Sequence, residues 1–303
     1  MFVSMVSNLK TLLAKGDFKA LARAISYIEN EVEGYTDFLT GVNSAATPVI
    51  GITGPPGAGK STLVDGLIRA MVAEKLKVAV LCVDPSSPFN MGALLGDRIR
   101  MSEWYLHPNV FIRSLASRGS MGGLHPKIIE ITELLKAAPF DFIIVETVGV
   151  GQSEIEIAGL ADTTVVVMIP EGGDEIQTMK AGLMEIADIF VVNKGDRPGA
   201  DVFVKNLRMM LAPAFTSHDE EVPIIKTIAS EGAGLKELFD AVKNHHQEGN
   251  ENEKKYWLLA ERAYYLIQQK RMRDIDKIEL KEQIKQQVAL HDFNLYEFVQ
   301  AIN

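Results

Sequence analysis

The sequence has little of what defines several common protein classes. Its 303 residues include a single cysteine, Cys82, so no disulfide can form within the chain, and we expect a reducing compartment. No apolar run approaches the ~18 residues that a membrane span requires. Acidic residues outnumber basic ones by 40 to 31, and the formal net charge of −9 disfavours non-specific binding to nucleic acid. The sequence therefore predicts a soluble globular protein with neither a nucleic-acid nor a membrane partner.

The beginning of the chain adds an expectation about location. Residues 1–15 start apolar without a basic leader before them, and no small-residue cleavage pattern follows. The same residues contain no arginine, unlike a transit peptide. We therefore expect an ordinary helix at the start of a cytoplasmic protein.

Hydrophobic patterning divides the chain into three segments. Residues 1–47 have helical spacing, with Asp17 as an N-cap and residues 38–47 as a connection. Residues 48–247 alternate short apolar runs with helical patterns, which predicts a doubly wound, mostly parallel sheet. Residues 248–303 follow a polar stretch that we expect to be a hinge, and they form a helical arm. The runs expected to be strands are 48–52, 78–83, 110–112, 142–145, 164–169, 189–192 and 224–227.

The strongest local signal is a glycine-rich segment that matches G-x-x-x-x-G-K-S/T at every fixed position. It lies between a predicted strand and a predicted helix over 62–73. Here the glycines allow backbone N–H groups to surround an anion, and the helix N-terminus adds partial positive charge. Lys60 is expected to reach the β- and γ-phosphates, and the Ser61 hydroxyl to bind Mg²⁺. The expected nucleotide contacts are Gly54, Pro55, Pro56, Gly57, Ala58, Gly59, Lys60, Ser61 and Thr62.

A second motif, N-K-x-D, follows an apolar run and indicates which base is bound. Its fixed positions are Asn193, Lys194 and Asp196. A carboxylate at this place accepts from both guanine N1–H and the exocyclic amine, a pair of donors that adenine lacks. Discrimination of this kind reaches about 10⁴-fold. We expect Asn193 and Lys194 to brace the site and cover the base, and Ala229 to offer a backbone N–H to guanine O6.

Carboxylates at other positions suggest how a metal ion would be held. Glu146 ends a predicted strand and is followed three residues later by Gly149, as in the D-x-x-G element of GTPases but with Glu in place of Asp. Asp84 ends the second strand and Asp97 lies downstream of it. Because ligands of such sheets bind at the C-terminal ends of strands, Ser61, Asp84, Asp97 and Glu146 are the candidate Mg²⁺ residues. Spacing alone equally allows Asp84 to be a cap and Asp97 to be part of a helix ion pair.

The loop after Glu146 suggests that hydrolysis of the bound nucleotide is slow. Gly149 is expected to meet the γ-phosphate with its N–H, but the next residue is Val150, where Ras-like enzymes have a glutamine that orients the attacking water. Gln152 is close by, although a solvated loop position explains it as simply. We therefore expect slow intrinsic hydrolysis.

Three longer strings are VDPSSPF at 83–89, LGDRIRM at 95–101 and VETVGVGQSE at 145–154. They resemble the methylmalonyl-CoA mutase-associated GTPases, the MeaB/ArgK family to which the methylmalonic aciduria type A protein is related. The resemblance extends from about Gly16 to the C-terminus. It implies an α/β fold, a P-loop NTPase G domain, flanked by an N-terminal helical extension and a C-terminal helical dimerisation arm.

The resemblance also implies a function. It implies hydrolysis of Mg·GTP to GDP that gates delivery of adenosylcobalamin to methylmalonyl-CoA mutase and protects that mutase; a related enzyme such as isobutyryl-CoA mutase would need the same machinery. It implies a homodimer, with an adenosyltransferase as a further partner. A mobile segment matches residues 169–180, whose Lys180 is expected to act in catalysis with Lys60, Glu146 and Gly149. The family's metal, phosphate and base positions match Ser61, Asp84, Asp97, Glu146, Lys60 and Asp196.

Three other functions stay open at this point. Nickel-insertion GTPases share the G-domain class but use Cys/His sites, whereas Cys82 has no Cys or His neighbour in sequence and His245-His246 is an isolated pair, expected on the surface. A kinase or ATPase of a transport system would need ATP, which the N-K-x-D motif disfavours. A nucleotide-gated scaffold that hydrolyses GTP too slowly to matter alone would carry the same motifs.

Overall fold

The computed structural model divides the chain into two compact units, Met1–Lys255 and Tyr256–Asn303. Within the ranges that it describes, every helix is too short or too polar to cross a lipid bilayer. The residues described are 9–42, 45–84, 101–117, 124–147, 153–170, 185–211, 222–248, 253–272, 275–289 and 293–302.

The first unit is built on a sheet of seven strands. They are β1 (Val49–Thr53), β2 (Val78–Asp84), β3 (Val110–Ala116), β4 (Phe142–Glu146), β5 (Thr163–Met168), β6 (Ile189–Val192) and β7 (Ile224–Lys226). Their order is β3-β2-β4-β1-β5-β6-β7 and every neighbouring pair is parallel. Each predicted apolar run is a strand, which confirms the doubly wound α/β fold. The five inner strands are buried along their whole length, which explains why their sequences do not alternate with polar residues.

Ten helices of the described residues have definite bounds. They are α1 (Phe18–Glu29), α2 (Tyr35–Thr40), α3 (Lys60–Ala73), α4 (Ile128–Lys136), α5 (Ser153–Leu160), α6 (Ala200–Leu211), α7 (Leu235–Glu248), α8 (Glu253–Arg271), α9 (Lys277–Ala289) and α10 (Leu295–Ala301). Residues 9–14 are helical as well. The predicted N-cap is confirmed, because the Asp17 carboxylate accepts a hydrogen bond from the Ala20 N–H at 2.8 Å.

Two predicted connections are partly helical instead. Helix α2 occupies the first residues of the expected connection 38–47, because Gly34 turns the chain with a φ of +86° and Phe38 is 2% exposed against the core. Helix α7 continues through His245 and His246 into the expected hinge. A His245 ring nitrogen lies 2.9 Å from the Thr163 hydroxyl, so this histidine is packed rather than simply on the surface. The division into 1–47, 48–247 and 248–303 stays a prediction.

Helices cover both faces of the sheet. On one face, α3 and α7 pack through Leu67 and Phe239 over inner-strand residues such as Ile52. The opposite face is covered by α5 and α6, and a Cβ at Gly51 of β1 would lie only 2.6 Å from Ile157 of α5. The strand order reverses at β1, because β4 lies on one side of β1 and β5 on the other. Ligands of such sheets bind outside the C-terminal strand ends at this point.

The helices α1 and α2 are attached to the edge of this unit by aromatic and charged contacts. The Phe18 ring lies 5.5 Å from that of Phe111 on β3. On the same strand, Arg113 forms an ion pair with Glu29 of α1 and donates a hydrogen bond to the Ser26 hydroxyl at 3.1 Å. These contacts join the first helices to an edge strand that would otherwise be exposed.

A buried ammonium group makes a second attachment. The Lys127 side chain is 5% exposed, and its Nζ donates to the Tyr35 hydroxyl at 2.9 Å and lies 3.0 Å from Glu31 Oε1. Burial by itself would lower the pKa of Lys127, but the hydrogen bonds to Tyr35 and Glu31 outweigh it and raise the pKa above 10.5. The ammonium group is therefore held in its charged form by residues next to and within α2.

We predict that Lys127→Met lowers the free energy of unfolding by about 2 kcal/mol at neutral pH, because hydrogen bonds to a charged group are lost. Since the pKa of Lys127 is higher in the folded chain than its ordinary 10.5, this contribution is complete below that pH and disappears as the pH rises through the folded value. Urea unfolding of both proteins from neutral to strongly alkaline pH measures it.

The control is Lys243→Met, because that ammonium lies on the surface beside Glu74 and Asp240. It should cost less at every pH. Equal stability of wild type and Lys127→Met at neutral pH would show that this attachment contributes nothing.

Candidate functional site

The phosphate-binding loop joins β1 to α3 at the C-terminal edge of the sheet. Gly54 has a φ of +138°, and a Cβ there would come within 2.1 Å of the Val167 carbonyl oxygen on β5. Gly59 is the N-cap of α3 with a φ of +88°, and its Cβ would lie 2.4 Å from Asn193 Nδ2. Side chains at these two positions would force strands or loops apart. The motif glycines are therefore required by close packing as well as by backbone conformation.

The motif lysine lies within this loop. Lys60 is the first residue of α3 and is 6% exposed. Its Nζ donates to the carbonyl oxygens of Gly54 at 2.9 Å and Pro55 at 3.0 Å. The loop therefore curves around a positive charge at a helix N-terminus, an arrangement suited to phosphate oxygens.

A hydroxyl and a carboxylate meet beside the loop. Ser61 Oγ donates to Glu146 Oε1 at 2.7 Å, and the two residues are 7% and 4% exposed. Glu146 ends β4, and Asp84, 5% exposed, ends the adjacent β2. These oxygen ligands fit Mg²⁺, which takes one or two protein carboxylates and completes its shell with water and substrate phosphates. Within the described residues, no group of three or more His, Cys, Asp or Glu side chains is arranged to hold a metal ion.

Asn193 connects the base-binding motif to the phosphate loop. It follows β6, is 3% exposed, and its Nδ2 donates to the Ala58 carbonyl oxygen at 2.8 Å. Its Oδ1 accepts from the Thr227 hydroxyl and the Ala229 N–H, both at 3.1 Å. Three segments thus meet at one amide. The Ala229 N–H, expected to meet the base, is donated to Asn193 in this structure.

The remaining motif residues form a turn at the surface. Lys194 has a φ of +56°, and the Gly195 N–H donates to the Thr227 carbonyl oxygen at 2.9 Å. Asp196 follows with an exposed side chain, so its carboxylate is accessible to a ligand. A Cβ at Gly195 would lie 2.5 Å from Cγ of Lys226, a residue that sequence reasoning missed. Because Gly195 has no Cβ, the Lys226 side chain can lie across the turn at this variable motif position.

The structure joins Ser61 to Glu146 by a direct hydrogen bond. Lys60 is hydrogen-bonded to the carbonyls of the phosphate loop, and Asn193 is joined to the same loop. Other predicted site residues lie outside the described ranges, so their roles stay predictions: Asp97, Gly149, Val150, Gln152 and Lys180. Two buried threonines at this edge, Thr53 and Thr147, were also missed. No sequence signal identifies them, because their contact joins residues 94 positions apart.

Comparison with known proteins places this geometry in a family. Residues 21–286 match the family model described as methylmalonyl-CoA mutase-associated GTPase MeaB. The chain belongs to the MeaB family of GTPases. A relative from Pyrococcus abyssi is 46% identical over 248 residues, covering 80% of this chain and 76% of the relative.

Two further matches bear on this MeaB-family chain. The fused isobutyryl-CoA mutase of Geobacillus kaustophilus is 37% identical over 257 residues, which cover 79% of this chain and 24% of that protein. The crystal structure of a LAO/AO transport system kinase superposes with a TM-score of 0.70 at 26% identity, covering 98% of this chain and 96% of that one. The fold and the P-loop site are therefore those of this GTPase family.

We predict that Asn193→Ala weakens GDP binding by roughly 100-fold, because three hydrogen bonds of about 1 kcal/mol each are lost. The matched variant Thr227→Val removes one of the three and should weaken binding by about fivefold. Equilibrium titration with a fluorescent GDP analogue measures both. Equal affinities for the two variants would contradict the proposed bracing role of Asn193.

Proposed function

We propose that GTP hydrolysis by this chain gates the delivery of adenosylcobalamin to an acyl-CoA mutase, with methylmalonyl-CoA mutase as the first candidate, and protects that enzyme. The observation that carries the proposal is the match over 79% of this chain to a protein named fused isobutyryl-CoA mutase. Fusion of a relative to a mutase supports direct cooperation between the two activities. The family description, a mutase-associated GTPase, supports the same function.

The phosphate loop is proposed to bind and polarise the GTP phosphates. Phosphate oxygens would replace the Gly54 and Pro55 carbonyls as acceptors for the Lys60 ammonium group, which is already held in the loop. That charge, together with the N–H groups at the start of α3, stabilises negative charge on the phosphates as the terminal bond breaks. Lys60 and these N–H groups would therefore contribute to catalysis mainly by positioning the phosphates and stabilising their negative charge.

Magnesium binding is assigned to the residues that meet at the C-terminal ends of β2 and β4. Ser61 and Glu146, with Asp84 at the end of the adjacent strand, would hold the ion, and Asp97 is proposed as a further ligand. When bound, Mg²⁺ supplies positive charge that neutralises the phosphates in the transition state. The chain contributes the oxygen ligands and an almost fully buried setting.

Guanine recognition is assigned to the turn after β6. The exposed Asp196 carboxylate would accept from guanine N1–H and the exocyclic amine, and the Lys194 stem would lie against the base. Asn193 joins this turn to the phosphate loop through its hydrogen bond to the Ala58 carbonyl. The residues that would bind the base are therefore connected to those that would bind the phosphates. A transport kinase that uses ATP is disfavoured, because adenine leaves this carboxylate without donors.

Asp196→Asn should change the preferred nucleotide from GTP to XTP, because the amide can donate to the additional carbonyl of xanthine. We expect at least a hundredfold change in the ratio of the two affinities. Competition binding with GTP, XTP and ATP measures it. Asp201→Asn is the control, since that exposed carboxylate pairs with Lys226 and should leave GTP preferred. Wild-type protein that binds ATP as well as GTP would refute the assignment.

Coupling to the mutase is assigned to residues 169–180. Val150 cannot orient water, so the free chain is expected to hydrolyse GTP slowly. Binding of the mutase would favour a state of this segment in which Lys180 reaches the nucleotide, a shift in population rather than a new site. A nickel-insertion partner is disfavoured by the fused mutase relative, which links this family to acyl-CoA chemistry.

The mutase should raise steady-state GTP turnover by at least about tenfold, because it completes the charge around the γ-phosphate. Lys180→Ala should lose most of this response, whereas the exposed helix residue Lys205 can be changed to Ala as a matched control without effect. Turnover is measured for the three proteins with and without mutase. If the mutase does not raise the GTP turnover of wild type, the proposed coupling is wrong. If it raises the turnover of Lys180→Ala as much as that of wild type, Lys180 has no part in the coupling.

Homodimerisation is assigned to the second compact unit. Several of its large apolar side chains are exposed, more than a solvated arm would carry. Phe298 of the same unit is only 7% exposed, and its ring centroid lies 5.9 Å from that of Phe293. The exposed large apolar residues of helices α8 and α10 are Tyr256, Trp257, Leu259, Tyr264, Tyr265, Leu266, Ile267, Leu295, Tyr296 and Val299.

We predict that wild type is a dimer and that Trp257→Glu combined with Tyr264→Glu makes it monomeric, because buried apolar area would be replaced by like charges. Multi-angle light scattering gives the mass. Leu106→Glu is the matched control, because Leu106 is 97% exposed in the first unit and should not affect the dimer. A dimer that survives the double substitution would place the interface elsewhere.

A further inference from the structure

Two buried hydroxyl groups connect the strands on which the nucleotide site is built. Thr53 is the last residue of β1 and Thr147 directly follows β4; they are 0% and 2% exposed. Thr147 Oγ1 donates to Thr53 Oγ1 at 3.0 Å. The Thr147 N–H also donates to the Ile52 carbonyl oxygen at 3.0 Å, which continues the sheet pairing by one residue.

Each hydroxyl is adjacent in sequence to a group that the site uses. Thr53 precedes Gly54, whose carbonyl accepts from Lys60, and Thr147 follows Glu146, whose carboxylate accepts from Ser61. The other side of the loop entrance is already closed, because Gly54 lies directly against β5. The hydroxyl pair is therefore a side-chain contact that joins the loop entrance to the β4 side.

Packing alone does not require hydroxyls at these two positions. Valine has the same branched shape as threonine and would fill nearly the same volume. Replacing both partners of a buried hydrogen bond by apolar groups of the same shape is close to neutral, whereas replacing one leaves a buried group unsatisfied. What a hydrogen bond adds is direction, because it fixes the distance and angle between two chain segments.

We propose that the Thr53–Thr147 hydroxyl pair is a positioning element for Mg·GTP. It holds the end of β4, and with it the Glu146 carboxylate, at a set separation from the start of the phosphate loop. Both residues act through their neighbours and need not touch the nucleotide. The proposal rests on the GTPase function proposed above, which it extends to two residues outside the motifs.

Four variants separate positioning from stability: Thr147→Val, Thr53→Val, the double variant, and Thr147→Ser, which keeps the hydroxyl. For each, thermal unfolding gives stability, and Mg²⁺ titration of GTP binding gives the half-saturating metal concentration. Single-turnover hydrolysis at saturating GTP gives the rate. GDP binding without Mg²⁺ serves as an internal control for the rest of the site.

The single valine variants should unfold at lower temperature and the double variant should recover most of that loss. The recovered double variant should still need about tenfold more Mg²⁺ for GTP binding and hydrolyse about tenfold more slowly, with GDP affinity within about twofold of wild type. Thr147→Ser should match wild type. Normal Mg²⁺ dependence in the stable double variant, or a serine variant as impaired as the valine one, would overturn the proposal. A wild-type protein without hydrolysis would contradict the proposed function, and the Mg²⁺ titration would still decide this one.

Discussion

The site depends above all on the hydrogen bond from the Ser61 hydroxyl to the Glu146 carboxylate. It joins the first turn of α3 to the end of β4, and both groups are almost fully buried. A buried carboxylate next to a phosphate loop is costly unless positive charge and hydrogen bonds compensate it. The positive charges of Lys60 and of a bound Mg²⁺ would compensate the buried Glu146 carboxylate. Helix α3, strand β4 and the phosphate loop therefore position one set of oxygen ligands.

A second contact makes the two halves of the site one structure. The Asn193 amide bonds the phosphate loop at Ala58, the Thr227 hydroxyl and the Ala229 N–H. Because the base motif and the phosphate motif share this side chain, we expect the fit of guanine and the position of the phosphates to be coupled. The Thr53–Thr147 pair has the corresponding role on the other side of the loop. Removal of either contact is expected to alter function more than stability.

The sequence predicted the parts of this structure that local chemistry controls. The apolar runs became strands, the glycine motif became the phosphate loop, and Asp17 capped its helix, because each depends on residues close together in the chain. Contacts between distant residues were not predictable, such as Lys127 with Glu31 or Lys226 across Gly195. The end of helix α2 was also missed, because residues 38–40 were expected in a connection, whereas Phe38 is buried against the core. A single sequence carries no record of such pairings.

The most direct test of the account is the Mg²⁺ dependence of GTP binding in Glu146→Gln. Glutamine can still accept from Ser61 and has nearly the same shape, so the change removes charge and little else. If Glu146 helps to hold the ion, this variant needs about tenfold or more Mg²⁺ for half-maximal GTP binding, with metal-free GDP binding almost unchanged. Glu103→Gln, an exposed carboxylate paired with Arg69, is the control and should behave as wild type. Unaltered Mg²⁺ dependence in Glu146→Gln would contradict the account.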